Sequence, residues 1–235
     1  MWHARRVTLT LPTRTTHVLL DLDGTLTDSA PGIVASLRTG FADAGFAVPA
    51  DDVLRTFVGP PLGASMAGVG LTGADAAAAI AAYRRDFEAR GMFDNSVFPG
   101  IPEALTELRQ AGLTLLVATA KPEHYARQIV EHFGLDTYLT GGLDGVYGAN
   151  PEAFTEVEGK EVVVERALAG AVALGADATQ VVMVGDREHD VHAAAHHGVP
   201  TVGVAWGYGG PGELEAAGAA AIARTPGELR KLLTS

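Results

Sequence analysis

His17–Ser29 reads HVLLDLDGTLTDS. Four apolar side chains, Val18, Leu19, Leu20 and Leu22, surround Asp21, and Asp23 follows two residues later. An uninterrupted apolar run this short predicts a strand buried on both faces. Asp21 is expected at its C-terminal end, where Gly24 and Thr25 turn the chain away. Open α/β sheets place their ligands at that edge. A carboxylate is costly there unless a metal or hydrogen bonds compensate it. A strand ending in a solvated Asp-Gly turn is the plainer alternative, and the second acid beside the same glycine weakens it.

The rest of the chain predicts helices before further strands. Pro31–Phe46 reads as a helix with Pro31 in its first turn and Ile33, Val34, Leu37 and Phe41 at helical spacing. Asp51–Phe57 is a second helical stretch, Val58–Gly63 (VGPPLG) a loop, and Gly73 to about Arg90 an Ala-rich helix. After Pro99-Gly100, helices and strands alternate. Expected helices are Pro102–Ala111, Pro122–Phe133, Val162–Leu174, His189–His197 and Pro226–Leu233. Expected strands are Leu113–Ala118, Tyr138–Leu143, Val181–Val184, Thr201–Val204 and Ala221–Ala223. This alternation implies an α/β fold, a doubly wound parallel sheet with a small all-helical domain inserted after the first strand. The expected division is residues 1–28 and 94–235 for the sheet domain and 29–93 for the insertion. Residues 1–15 are expected to form a short extension with a strand-like patch at Val7–Leu11.

The chain has 235 residues, 47% of them hydrophobic, a formal charge of −11 and no cysteine. Its length allows one large and one small domain. The charge argues against nucleic acid or an anionic membrane as partner, but a local metal or cation cluster can still receive a phosphorylated small molecule. Without cysteine there is no disulfide, thiolate catalysis or Cys-based zinc site. No apolar run approaches membrane-spanning length, and the N-terminus lacks the long apolar region of a secretory signal. A cytoplasmic location is expected.

Three predicted strand ends carry polar groups: Asp21 with Asp23, Thr119 with Lys121, and Asp186 with Asp190. In a parallel sheet all lie on one edge. Converging carboxylates call for a hard divalent cation, and magnesium suits few protein ligands. A hydroxyl and a lysine beside it suggest a phosphate. Lysine occurs only at 121, 160 and 231 against fourteen arginines, and two of the three lie in loops heading for this edge. As a compact charge, lysine suits phosphate oxygens or a carboxylate in a tight site; Lys160 in EVEGKE could equally be a solvated loop residue.

DLDGTLTDS, ATAKP, a lysine before an apolar helix and VGDREHD resemble the four motifs of the haloacid dehalogenase superfamily, in order and rough spacing over about Val18–Ala205. With KPEHYARQIVEHFG and GVAWGYG, the chain is similar to the phosphoglycolate-phosphatase-like branch, and the helical insertion to the cap of many members. The resemblance implies a phosphatase acting on a small phosphate ester, phosphoglycolate-like or a nucleoside monophosphate. Asp21 would be the nucleophile, and Asp23 the general acid, then base. Asp21, the Asp23 carbonyl and Asp186 would bind Mg2+. Asp190 would orient Lys160 or a water from behind. Thr119 and Lys160 would hold phosphoryl oxygens, with backbone N–H groups near Gly24, Thr25 and Ala120. Ala120 stands where relatives often have Asn, and Lys160 follows an acidic run from Glu152 instead of forming a Lys-Pro pair. Lys121 is its alternative. Arg55 is the expected substrate contact from the insertion.

His189, His192 and His196 share helical spacing, without the Glu of an H-E-x-x-H zinc site, and read as helix-surface groups. His189, between two acids, could touch substrate. The Gly203–Gly210 loop lacks a P-loop ending. A phosphosugar mutase on the same scaffold, or a catalytically idle binding protein, are the alternative readings.

Overall fold

The computed structural model of the chain describes residues 9–60, 62–150 and 159–234. The chain enters through strand β1 (His17–Leu20), whose four residues are all buried. β2 (Thr27–Asp28) leads into helices α1 (Ala30–Asp43), α2 (Asp51–Arg55), α3 (Leu62–Gly68) and α4 (Gly73–Asp86), and a π-helical turn over Phe87–Gly91 closes this segment. β3 (Ser96–Val97) returns antiparallel against β2. From there follow α5 (Ile101–Gln110), β4 (Thr114–Pro122), α6 (Glu123–His132), β5 (Val146–Ala149), α7 (Lys160–Ala173), β6 (Val181–Gly185), α8 (Glu188–His196), β7 (Thr201–Val204), α9 (Glu213–Ala217), β8 (Ala221–Ala223) and α10 (Pro226–Thr234).

Six strands form one sheet in the order β5-β4-β1-β6-β7-β8, and every pairing in it is parallel. The doubly wound α/β expectation holds. β1 is central, which explains why its run is apolar throughout: both faces are covered. Alternate residues divide between the faces. Leu19, Leu116 and Met183 pack with Val163, Val164, Ala167 and Ala194 of α7 and α8. Val18, Leu20 and Val117 join Leu105 and Ile129, in a cluster that continues to Leu37, Phe41 and Met66 of the helical segment.

Small residues let α1 approach α4 and the π-turn closely. A Cβ on Gly40 would lie 2.7 Å from the Tyr83 backbone nitrogen, and one on Gly32 would collide with the Gly91 carbonyl oxygen.

Several local expectations are corrected. The second helix stops at Arg55, and the unexpected α3 begins at Leu62, directly after the proline pair that marked a loop. Tyr138–Leu143 is no strand: Leu135–Tyr138 and Gly142–Gly145 are 3-10 turns, and the strand is β5, three residues beyond. β4 runs on to Pro122 with a register shift between Ala118 and Pro122. Leu9–Leu11 form no strand, while Val7 and Thr8 lie outside the described residues, as does most of the acidic run before Lys160.

Candidate active site

The C-terminal ends of β1, β4 and β6 carry the polar groups. Asp21 follows β1 directly, and its N–H donates to the Val184 carbonyl at 2.9 Å, continuing the pairing with β6. The chain then turns at Gly24, whose φ of 83° is in the left-handed region that favours glycine. A Cβ there would also collide with Asp186 Oδ2. Two requirements therefore meet at Gly24: the turn and the approach of the β6 carboxylate. Gly185, Gly207 and Gly209 serve similarly. A Cβ on Gly185 would strike the Asp190 carboxylate, on Gly207 the Asp186 side chain, and on Gly209 the Asp186 carbonyl oxygen.

Asp21, Asp186 and Asp190 are buried, with carboxylate oxygens within 4.8 Å of one another. Among the described residues they are the only group of three possible metal ligands. Lys160, first residue of α7, reaches between them: its Nζ is 2.8 Å from Asp21 Oδ1 and also pairs with Asp190 Oδ1. The other Asp190 oxygen accepts the Arg187 N–H at 3.0 Å, capping α8. Asp190 is thus committed to Lys160 and to its own helix end. Asp186 accepts the Tyr208 N–H at 2.7 Å and the Thr25 hydroxyl at 3.5 Å.

One lysine does not balance three buried acids. Burial pushes Asp21 up to about 6, with Lys160 opposing and Asp190 and Asp23 reinforcing. Burial, then Asp190 and Asp21, raise Asp186 well above its ordinary value. Burial alone would lower Lys160, but Asp190 and Asp21 outweigh it and hold the ammonium above its ordinary value. Excess negative charge in a dry, oxygen-only donor set fits a hard divalent cation. Asp21 and Asp186, flanking the Gly24 turn, are the acids not already committed to a helix cap.

Asp23 is placed differently. Its Oδ2 pairs with Lys121 Nζ at 2.9 Å. Its buried Oδ1 has no hydrogen-bond partner among the described residues. Asp23, Ala120, Lys121 and Lys160 line a cavity of about 550 Å3 whose far side is formed by the helical segment. Thr119 is buried at the irregularity in β4, its hydroxyl accepting the Lys121 N–H at 3.3 Å. Gly24 and Thr25 lie against Asp186. Arg55 lies apart: it is exposed and lines a separate pocket with Arg187, Tyr208 and Glu213. His189, His192 and His196 line the cavity on its α8 side, and all three are exposed.

The two lysines have different positions: Lys160 serves Asp21 and Asp190, and Lys121 serves Asp23. Sequence reasoning missed the part of the Gly203–Gly210 loop. Trp206 Nε1 donates to the Thr25 carbonyl at 3.1 Å. The Tyr208 hydroxyl donates to Asp28 Oδ1 at 2.8 Å and accepts the Ala30 N–H at 3.0 Å. Two aromatic residues among glycines were the available signal.

The profile of the haloacid dehalogenase-like hydrolases matches residues 18–204. A tyrosine-protein kinase, PtkA of Mycobacterium tuberculosis, is 46% identical over 82% of the chain. The match spans only 62% of that relative's length. A 5′-nucleotidase of Pseudomonas aeruginosa is 38% identical over 85% of the chain and 87% of its own length. A phosphoglycolate phosphatase of Cupriavidus necator is 33% identical over 97% and 96%. The crystal structure of a predicted phosphatase from Clostridium acetobutylicum superposes with a TM-score of 0.83 at 38% identity, over 93% of this chain and 98% of that one.

Proposed function

The chain belongs to the haloacid dehalogenase-like hydrolase family, and on that footing we propose that it is a magnesium-dependent phosphatase hydrolysing a small phosphomonoester through an aspartyl-phosphate. Relatives named for phosphoglycolate and for 5′-nucleotides support the substrate type. Residues 29–93 act as a cap over a core of 1–28 and 94–235, with the β2–β3 ribbon at the two connections between them.

The carboxylate of Asp23 carries this reading. It faces the cavity with one oxygen free of any hydrogen-bond partner among the described residues, two residues from the buried Asp21. One acid attacks and the other handles protons. In the first half-reaction an Asp21 oxygen bonds to phosphorus, the bond from phosphorus to the ester oxygen breaks, and Asp23 gives that oxygen its proton. In the second, a water oxygen attacks phosphorus and passes a proton to Asp23. The acyl-phosphate bond then breaks, releasing phosphate and restoring both acids.

Lys160 neutralises Asp21 as it approaches an anionic phosphoryl group, and Asp190 fixes that ammonium in place. Thr119 and the N–H groups near Gly24, Thr25 and Ala120 hold phosphoryl oxygens. Lys121 orients Asp23. Asp21, Asp186 and the Asp23 carbonyl would hold Mg2+, which when bound supplies charge neutralisation at the phosphoryl oxygens.

The test is release of phosphate from p-nitrophenyl phosphate. Asp21→Asn and addition of a chelator should each abolish it. Undiminished hydrolysis by the Asn variant would sink the mechanism. Phosphate transfer from ATP to a tyrosine peptide, without hydrolysis of any monoester, would move the reading to the activity named for the mycobacterial relative.

A further inference from the structure

The cavity in front of Asp23 holds about 550 Å3, within the range of roughly 300–1,000 Å3 that takes ligands of drug size. Its wall opposite the carboxylates is largely aromatic and aliphatic: Phe57, Ile80, Tyr83, Phe87 and Tyr125 line it, with Arg84 beside Tyr83. Three of these rings form one rigid unit. Tyr83 stacks on Phe87 at 5.5 Å, and Tyr125 meets Phe87 edge-on at 5.5 Å. The Tyr125 hydroxyl donates to Glu88, which holds that ring in place.

The wall begins where the ester oxygen would depart. Lys121 Nζ, bound to Asp23, lies 5.0 Å from the centre of the Phe87 ring. A leaving group accepting a proton from Asp23 therefore enters a space lined by ring faces and edges. A two-carbon acid phosphate would leave most of that space, and the three rings, without contact. A planar ring would instead pack against them by offset or edge-on contact, which adds to the area it buries.

We propose that the substrate is a phosphomonoester whose leaving group carries a flat aromatic or heteroaromatic ring, held against the Tyr83–Phe87–Tyr125 wall. This rests on the phosphatase reading above and selects within it. Ile80, half-buried on α4 and lining the same cavity, is the position from which the space can be narrowed without touching the acids.

The test measures kcat/KM with Mg2+ for adenosine 5′-monophosphate and 1-naphthyl phosphate as the ring-bearing esters, and phosphoglycolate and glycerol 3-phosphate as the small ones. At least one ring-bearing ester should exceed both small ones tenfold or more, and the better of the two distinguishes a nucleoside from a simple aryl group. Ile80→Trp should lower the ratio of ring-bearing to small substrate at least tenfold, with its melting temperature establishing that it folds. Preference for phosphoglycolate, or an equal fall for both classes in Ile80→Trp, would overturn the inference while leaving the phosphatase reading intact. No hydrolysis of any of the four esters would defeat the phosphatase reading first.

Discussion

Lys160 carries one positive charge between Asp21 and Asp190, with the Asp186 carboxylate close by. Removing it should be severe. Lys160→Ala leaves two buried carboxylates facing each other, and breaking a buried pair costs about 3–5 kcal/mol, readable in urea unfolding with chelator present. Removing an acid should do the reverse. Asp21 titrates near 6 in the folded chain because burial disfavours its charge. Its folded value lies above the ordinary one, so the folded state holds the extra proton and this group's contribution to stability falls as pH rises from about 4 to 6. Metal-free Asp21→Asn should accordingly melt above the wild type at pH 7, with the gap closing as pH drops through that window. A gap independent of pH would contradict the assignment. Cation binding needs the same carboxylates ionised. Mg2+ affinity measured by calorimetry should therefore weaken below about pH 6.

The elements around the acids are held by a few polar links. The Gly203–Gly210 loop joins three places: Thr25 through Trp206, Asp186 through the Tyr208 N–H, and the start of α1 through the Tyr208 hydroxyl. Tyr208→Phe removes only the last. That hydroxyl makes two hydrogen bonds, to Asp28 and from Ala30, so the loss should be about 0.5–1.5 kcal/mol for each, with Mg2+ affinity unchanged because the N–H to Asp186 remains. Within the helical segment, contact is limited by backbone separation. Gly40→Val would drive a side chain into the Tyr83 backbone. It should lower the melting temperature by overpacking, about 1–3 kcal/mol, and disturb the aromatic wall that Tyr83 carries.

At the largest scale, the helical segment between β2 and β3 meets the ends of the sheet elements around the cavity. Arg187 spans that contact: its Nε donates to Glu213 at 2.7 Å and its Nη1 to the Val58 carbonyl at 3.3 Å. The second bond links the start of α8 to the loop before α3. Arg187→Ala should speed amide hydrogen exchange across residues 58–68, leaving β1 protected, because the sheet's pairing does not depend on it. No helix among the described residues is long and apolar enough to cross a membrane.

Local chemistry and periodicity are legible along the chain before it folds. The apolar run of β1, unbroken because both its faces are covered, announced a parallel sheet. Asp21, Asp23, Asp186 and Asp190 announced an edge rich in carboxylates, since they cluster just past two strand ends, beside glycines. Shorter signals misled where tertiary contacts outweighed propensity. Tyr138–Leu143 is expected as a short strand, yet the chain there is coiled into 3-10 turns, and the edge strand β5 forms later, where it pairs with β4. Only the tertiary structure decided the partners. Lys160 and Asp21 are far apart in sequence and 2.8 Å apart in space. The aromatic wall draws its rings from α4, the π-turn and α6, and no periodicity within one element encodes a surface assembled from three. Arg55 shows the same limit from the other side: its position before a loop suggested the substrate cavity, and packing of α2 turns it to another pocket. Ion pairs, cavities and pKa values depend on distances across the fold, which the covalent chain constrains only after it has packed.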